Sequence, residues 1–294
     1  MTNEQSFSKT QERTTYLDRA RILTSNNGRP KHWNEIKYLT KGIARYSSKG
    51  KWSLYDYYNT VWDLRQPSFE LLEDIPYLAS CYRFTVSYIE FAVDIIFKTK
   101  KEANEAFQQF FYCSNQTYNR KKSLGRLIGN GFYHRALWSP SNIVAYADRP
   151  CKVNGKPCLH IELRLSGSQT IKNKFKDGIY YIEGEDIFKS LDKVLCFLEV
   201  ESLEKLGKYL FKSDLKPVED SYYYRATKSL SYAYRRRASI FLRANSEAEP
   251  DKFNEYIPFV NLRKIYLNHP EVRRALKRTK LSDYFEDSAN VMYS

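Results

Sequence analysis

The run Leu159–Leu165, LHIELRL, allows few structures. Leu159, Ile161, Leu163 and Leu165 alternate strictly with His160, Glu162 and Arg164. A strand switches side-chain direction at every residue, so it sorts this run into one apolar and one polar face. The leucine face must cover a core. The other face carries an imidazole, a carboxylate and a guanidinium in a row. Two readings of that row are open: a solvated face with an internal ion pair, or part of a site.

The flanking sequence extends the strand reading. Phe132–Trp138 and Asn142–Asp148 are short extended runs separated by Ser139-Pro140, and Asn154-Gly155-Lys156-Pro157 precedes Leu159. Pro and Gly clusters at this spacing mark turns between strands. Residues 82–97, rich in β-branched and aromatic side chains, read as one long strand or two joined by a bend. Its Phe91, Val93 and Ile95 share one face; Glu90, Ala92 and Asp94 share the other. Buried carboxylates need a cation or a metal beside them. An amphipathic helix over 99–112, with Thr99 near its start, follows directly.

Elsewhere helices are expected. Residues 1–30 read as loosely structured and 31–65 as two basic, aromatic helices, the second capped by Ser53. In that second helix Leu54, Tyr57, Tyr58 and Val61 form a packing stripe. Helices are expected again at 185–198, at 201–211 and at 221–244 after Asp220 or Ser221, with a last basic one beginning at Pro270. The expected fold class is α+β: an antiparallel sheet with flanking helices and basic helical regions at both ends. The expected division is 1–66 (polar and basic, helical), 67–215 (α+β catalytic core) and 216–294 (basic, helical).

Composition narrows the partners. The chain of 294 residues carries a net charge of +14. Such an excess points to a polyanion, most often nucleic acid. The 25 Tyr and 17 Phe suit stacking on unpaired bases. An AT-rich genome also enriches these residues, so the charge weighs more than the tyrosine count. No apolar run approaches the ~20 residues of a membrane span, and the polar start lacks a secretory signal. A soluble, cytoplasmic protein is expected, with no membrane partner. The five cysteines are odd in number and widely spaced, which suits packed, reduced thiols better than a zinc site.

The strands supply candidate ligands. Glu162, Asp94 and His160 bring oxygen donors and one imidazole toward one place, a set suited to Mg²⁺ or Mn²⁺. A divalent ion stabilises charge developing on a scissile phosphate. His134 and Arg135 stand on opposite faces of their run. A tyrosine hydroxyl is a candidate nucleophile toward DNA phosphate. In the helix at 221–244, Tyr224 stands four residues before Lys228 and close to Arg235, Arg236 and Arg237. Tyr224 is therefore the candidate, with Tyr223 as its rival and Lys228 assisting. Arg135, Arg164, Arg149, Lys152, Arg235, Arg236 and Arg237 are candidate nucleic-acid contacts. There is no Walker A loop.

Three local matches give the chain a resemblance to the "replication initiation factor" family of plasmids, filamentous phages and conjugative elements. YIEFAVDI (Tyr88–Ile95) is similar to that family's first strand, ending in an aspartate. FYHRALWSPSNIVAYADRPCK (Phe132–Lys152) is similar to its strand pair closed by a tyrosine–aspartate–lysine turn. CLHIELRLSG (Cys158–Gly167) resembles its arginine-x-glutamate strand, with Glu162 at the acidic position. The resemblance implies a metal-dependent tyrosine nickase that starts rolling-circle replication, stays on the 5′ end it cuts, and recruits a host helicase. It makes Glu162 a metal ligand and Asp94 a second.

The chain departs from the pattern in places. His160 stands where the family has a basic residue, and Arg149 or Lys152 must serve for the turn lysine. Phe132 stands at the first histidine position of the histidine–hydrophobic–histidine strand of the wider relaxase superfamily. That implies a carboxylate-dominated site, or a catalytically silent relative. No tyrosine is carried over by resemblance.

The reading adopted is a DNA-nicking replication initiator of a mobile element in a bacterial or archaeal host. Its expected partners are single-stranded or supercoiled origin DNA, a helicase and a second copy of itself. The rivals are a non-catalytic DNA-binding protein, as origin binder or repressor, and an RNA-binding protein.

Overall fold

The LHIELRL run lies in a strand, Cys158–Ser166, whose four core-facing residues are fully buried. Around it the computed structural model describes residues 12–25, 40–47, 60–71, 73–74, 84–116, 124–134, 139–175, 184–198, 236–237, 239–246, 249, 252–258 and 278–279. In chain order the strands are β1 (Arg13–Thr24), β2 (Thr40–Ser47), β3 (Thr60–Pro67), β4 (Phe84–Ile96), β5 (Ser114–Gln116), β6 (Leu124–Ile128), β7 (Gly131–Tyr133), β8 (Ser141–Tyr146), β9 (Cys158–Ser166), β10 (Leu195–Leu198), β11 (Asn254–Pro258) and β12 (Arg278–Thr279). The helices are α1 (Lys100–Cys113), α2 (Ser168–Lys174) and α3 (Gly184–Asp192). Residues 239–246 are also helical.

The fold is α+β. Nine of these strands form one antiparallel sheet in the order β11-β6-β7-β8-β9-β4-β1-β3-β2, and β12-β10-β5 form a small second one. Helices cover one face of the large sheet. Thr99 caps α1, its side chain accepting from the Glu102 N–H. Phe110 and Phe111 of α1 meet Phe132 edge-on at centroid distances of 6.2 and 5.2 Å, and Phe175 meets Phe91 at 5.4 Å. Each fully buried side chain of this size contributes about 1.5–3 kcal/mol. Leu163→Ala, in the middle of β9, is therefore expected to cost about 2–5 kcal/mol in chemical denaturation; a loss under about 1 kcal/mol would mean the face is not core.

The strands expected within 82–97, 142–148 and 159–165 and the helix after Thr99 are present; of the expected run 132–138 only 132–133 is strand, and 135–138 lie outside the described residues. Other segments differ. Residues 13–24 are a strand inside the sheet, where a loose segment was expected. The described parts of 31–65 are β2 and β3, not helices. Val61, expected in a helical stripe, lies on β3 opposite Leu23. Both segments are rich in polar residues because one sheet face is lined with them. Leu195 and Leu198 end the α3 region as a strand rather than a longer helix, and Arg278–Thr279 pair with β10 where helix was expected. Residues 1–11, 201–235 and 280–294, with the start of the expected tyrosine-rich helix, lie outside the described residues.

Candidate metal and phosphate site

The opposite face of the sheet is built from rows of directly opposed residues. Register places Asp94 opposite His160, Ala92 opposite Glu162 and Glu90 opposite Arg164. On the far side of β4, Tyr16 opposes Ala92 and Arg19 opposes Glu90. The strand pattern changes at Asp18. Leu17 pairs with Phe91 and Arg19 with Glu90, which leaves Asp18 as an extra residue in a bulge. A bulge re-aims a side chain within a ladder. Here it brings the Asp18 carboxylate toward His160 and Glu162. One ligand-capable atom from each of Asp18, His160 and Glu162 lies within 4.8 Å of the others.

This face is not solvated. His160 and Glu162 are 2 % exposed and Asp94 is fully buried, so their partners decide their charge. His160 Nδ1 is hydrogen-bonded to Asp94 and its Nε2 lies 2.8 Å from Glu162 Oε1. Tyr146 donates its hydroxyl to Glu162 Oε1 at 2.8 Å. Arg164 donates to Glu162 Oε2 from Nε at 2.6 Å and also pairs with Glu90 at 3.3 Å. Tyr16 donates to Asp94 Oδ2 at 3.1 Å, and Tyr88 donates to Glu90. Lys152 Nζ reaches both Asp18 oxygens at 2.5 Å. Lys152 arrives on a tight turn, where Gly155 takes φ 71° and donates to the Cys151 carbonyl.

The electrostatics follow from these contacts. Burial alone disfavours charged His160, but its hydrogen bonds to Asp94 and Glu162 outweigh that and raise its pKa to about 9. Burial likewise opposes ionised Glu162, yet His160 and Arg164 hold it down at about 2. Glu90 is pushed upward by burial, with Arg164 offsetting part of it. Tyr16, Tyr88 and Tyr146 are all pushed upward, first by burial and then by the carboxylate each one faces. They are hydrogen-bond donors that fix carboxylates, and poor nucleophiles.

The candidate residues distribute unevenly. Glu162, His160 and Asp94 do meet, with Asp18 joining them. Asp94 stands behind His160 on Nδ1. Arg164 is committed to two carboxylates rather than free for phosphate. Lys152 sits on Asp18, and Arg149 is exposed on the same turn, its guanidinium 5.7 Å from the Tyr146 ring centre. Arg236, half-exposed, pairs with Glu255 at 3.5 Å.

Arg237 and His134 lie elsewhere. Arg237 is 3 % exposed and donates to the Phe111 and Ser114 carbonyls at 3.2 and 2.8 Å. It ties the helical segment to the end of α1, buried rather than at the surface where a nucleic-acid contact was expected. His134 packs against Phe110 and Phe132, on the helix-covered face, and not in the cluster. Arg135, Tyr223, Tyr224, Lys228 and Arg235 lie outside the described residues.

Sequence reasoning missed Asp18. A trace of it is visible in the spacing of Leu17, Ala20 and Ile22, which breaks the period of two at the bulge. The Glu162 row also continues through Val144, Tyr133 and Arg126 to Tyr256. Arg164 lies 5.8 Å from the Tyr133 ring centre, and Arg126 lies 4.9 Å from that of Tyr256.

On the other side of the cluster is an open cleft of about 460 Å³. Arg19, Lys41, Arg65 and Lys152 line it with Gln66, and Asp18 and Glu90 contribute carboxylates. Arg19 is held by Asp63 through a 2.6 Å hydrogen bond.

Among known proteins, no family model matches the chain, and no curated protein matches it. One similar solved structure is that of a rolling circle replication initiator protein from Geobacillus stearothermophilus. It is 12% identical, with a TM-score of 0.42, over 64% of this chain and 88% of that one. Likeness at this level decides nothing about family or activity. Among the described residues, no helix is long and apolar enough to cross a membrane.

Proposed function

We propose that this chain is a metal-dependent, tyrosine-mediated DNA nickase that initiates rolling-circle replication of a mobile element. The observation that supports it most is the buried cluster of Asp18, His160 and Glu162 on a sheet face, backed by Asp94 and flanked by a cationic cleft. Two carboxylates and one imidazole form a hard donor set that fits Mg²⁺ or Mn²⁺. Asp18, His160 and Glu162 would hold the ion, and Asp94 on Nδ1 would orient His160, as carboxylates behind ligating histidines commonly do. When bound, the ion polarises a phosphate oxygen.

The chain's own residues do the rest. Arg164 and Tyr146 hold the Glu162 carboxylate in one orientation. Tyr133 and Tyr256, with Arg126 between them, offer ring faces to unpaired bases. The Tyr224 oxygen, with Tyr223 as the rival, attacks phosphorus, forming a 5′-phosphotyrosine and breaking the P–O3′ bond. The phenolic proton goes to solvent and the leaving 3′ oxygen is protonated. Lys228, four residues after Tyr224 in the sequence, stabilises the phenolate. Such a protein works in the cytoplasm of a bacterial or archaeal host, with origin DNA, a helicase and a second copy of itself as partners.

One observation favours a second reading, a DNA binder without catalysis. His160 and Glu162 satisfy each other at 2.8 Å, so the cluster is self-sufficient as an ion pair. The test is to incubate the full chain with supercoiled plasmid carrying the element's origin, with Mn²⁺ or with EDTA. Metal-dependent nicking with a covalent 5′ adduct is expected, the adduct mapping to Tyr224 or Tyr223. Tight binding with no nicking selects the second reading.

A further inference from the structure

The cleft beside the cluster is lined by charge, so its ligand is ionic rather than apolar. Most of that lining is already matched. Asp18 is held by Lys152, Glu90 by Arg164 and Tyr88, and Arg19 by Asp63. Two cations are left over. Lys41 and Arg65 are exposed and have no acidic partner among the described residues. Unmatched lysine and arginine in a concave site attract an anion by focusing their field into it.

Gln66 adds a second, independent observation. In a regular strand Gln66 and Arg65 point to opposite faces. Here Gln66 takes φ 44°, the one non-glycine residue with positive φ among those described, and both residues line the cleft. That region is unfavourable for a side chain such as glutamine and persists where the surroundings require it. Its amide Nε2 is also buried without any acceptor. An orphan donor in a strained residue, beside two unmatched cations, calls for a ligand that is anionic and carries acceptor oxygens. At about 460 Å³ the cleft is at the small end of ligand sites (~300–1,000 Å³), with room for one nucleotide unit and none for a duplex.

We infer that this cleft seats the nucleotide adjoining the cleaved phosphate of a single DNA strand, Lys41 and Arg65 holding its phosphodiester and Gln66 donating to an acceptor oxygen. Asp18 lines the cleft and also belongs to the cluster, so a strand seated there lies beside the cluster. That this phosphate is the one cleaved rests on the nickase reading; the binding itself does not.

The test uses the full chain without metal, a fluorescent single-stranded oligonucleotide of about twenty dT units, and the same length as duplex, titrated at several salt concentrations. Lys41→Ala/Arg65→Ala is expected to weaken single-strand binding about tenfold. It should also flatten the log–log salt slope by roughly 0.7, the contribution of the one phosphate that is no longer neutralised. Gln66→Gly relieves the backbone, so it should raise Tm while weakening binding severalfold; a purely structural glutamine would not separate the two. An unchanged salt slope in the double variant, or a weakening confined to the duplex, overturns the inference. The nicking assay separates the two ideas. Wild type that binds through Lys41 and Arg65 but never nicks ends the enzymatic reading and keeps the cleft. Nicking that is untouched in both variants ends the cleft and keeps the enzyme.

Discussion

Glu162→Gln is expected to reduce metal-dependent nicking by at least about 10³-fold, with single-strand affinity within about threefold of wild type. Glutamine keeps the shape, and its carbonyl still accepts from Tyr146. It loses the charge that a divalent ion requires, and its amide cannot accept from Arg164 as Glu162 Oε2 does at 2.6 Å. Arg164 retains Glu90, so the protein should remain folded. Affinity for a polyanion should not fall when a negative charge is removed. Full nicking by this variant would remove Glu162 from the chemistry. Loss of binding together with a large drop in Tm would make its role structural.

The second large effect is in pH. In metal-free protein the His160 pKa is raised from 6.5 to about 9. A raised pKa stabilises the folded state fully below about pH 6.5, and the contribution is lost as pH climbs through about 9. The size is about 3 kcal/mol for a shift of this order. Glu162 behaves in the opposite sense: its pKa is lowered from 4.5 to about 2, so its contribution is complete above 4.5 and disappears as pH falls through 2. It is the same ion pair seen from the acid side, and the two are not additive. Urea denaturation between about pH 6 and about pH 9.5 should show the alkaline loss. Saturating Mn²⁺ should cancel it, because a ligating imidazole must be neutral and metal binding strengthens as that proton leaves. An alkaline loss of the same size with and without Mn²⁺ would leave His160 as half of an ion pair and nothing more.

The face of β9 is readable from seven residues because strand alternation is local: each side chain's direction depends only on its neighbours. The same holds for Glu90 and Asp94 on β4 and for the Thr99 cap, whose partners lie within four residues. The polar strands were harder. Thr14, Tyr16, Asp18, Arg19 and Arg21 read as part of a loosely structured segment, since composition reports polarity and not what covers it. Arg237 misled in the same way. Three consecutive arginines suggest a phosphate-binding patch, and only packing reveals that one of them points inward to two carbonyls.

By itself, then, the sequence determined the antiparallel core, the inward leucines of β9, and a row of His160, Glu162 and Arg164 facing the carboxylates of β4. Tertiary structure decided the membership of the site. Asp18 enters through a bulge opposite Glu90, a strand far along the chain. Asp94 moves behind His160, and Gln66 meets Lys152 across a cleft that no local pattern contains. Register between distant strands is set by the whole sheet, so a residue's neighbours along the chain do not name its neighbours in space.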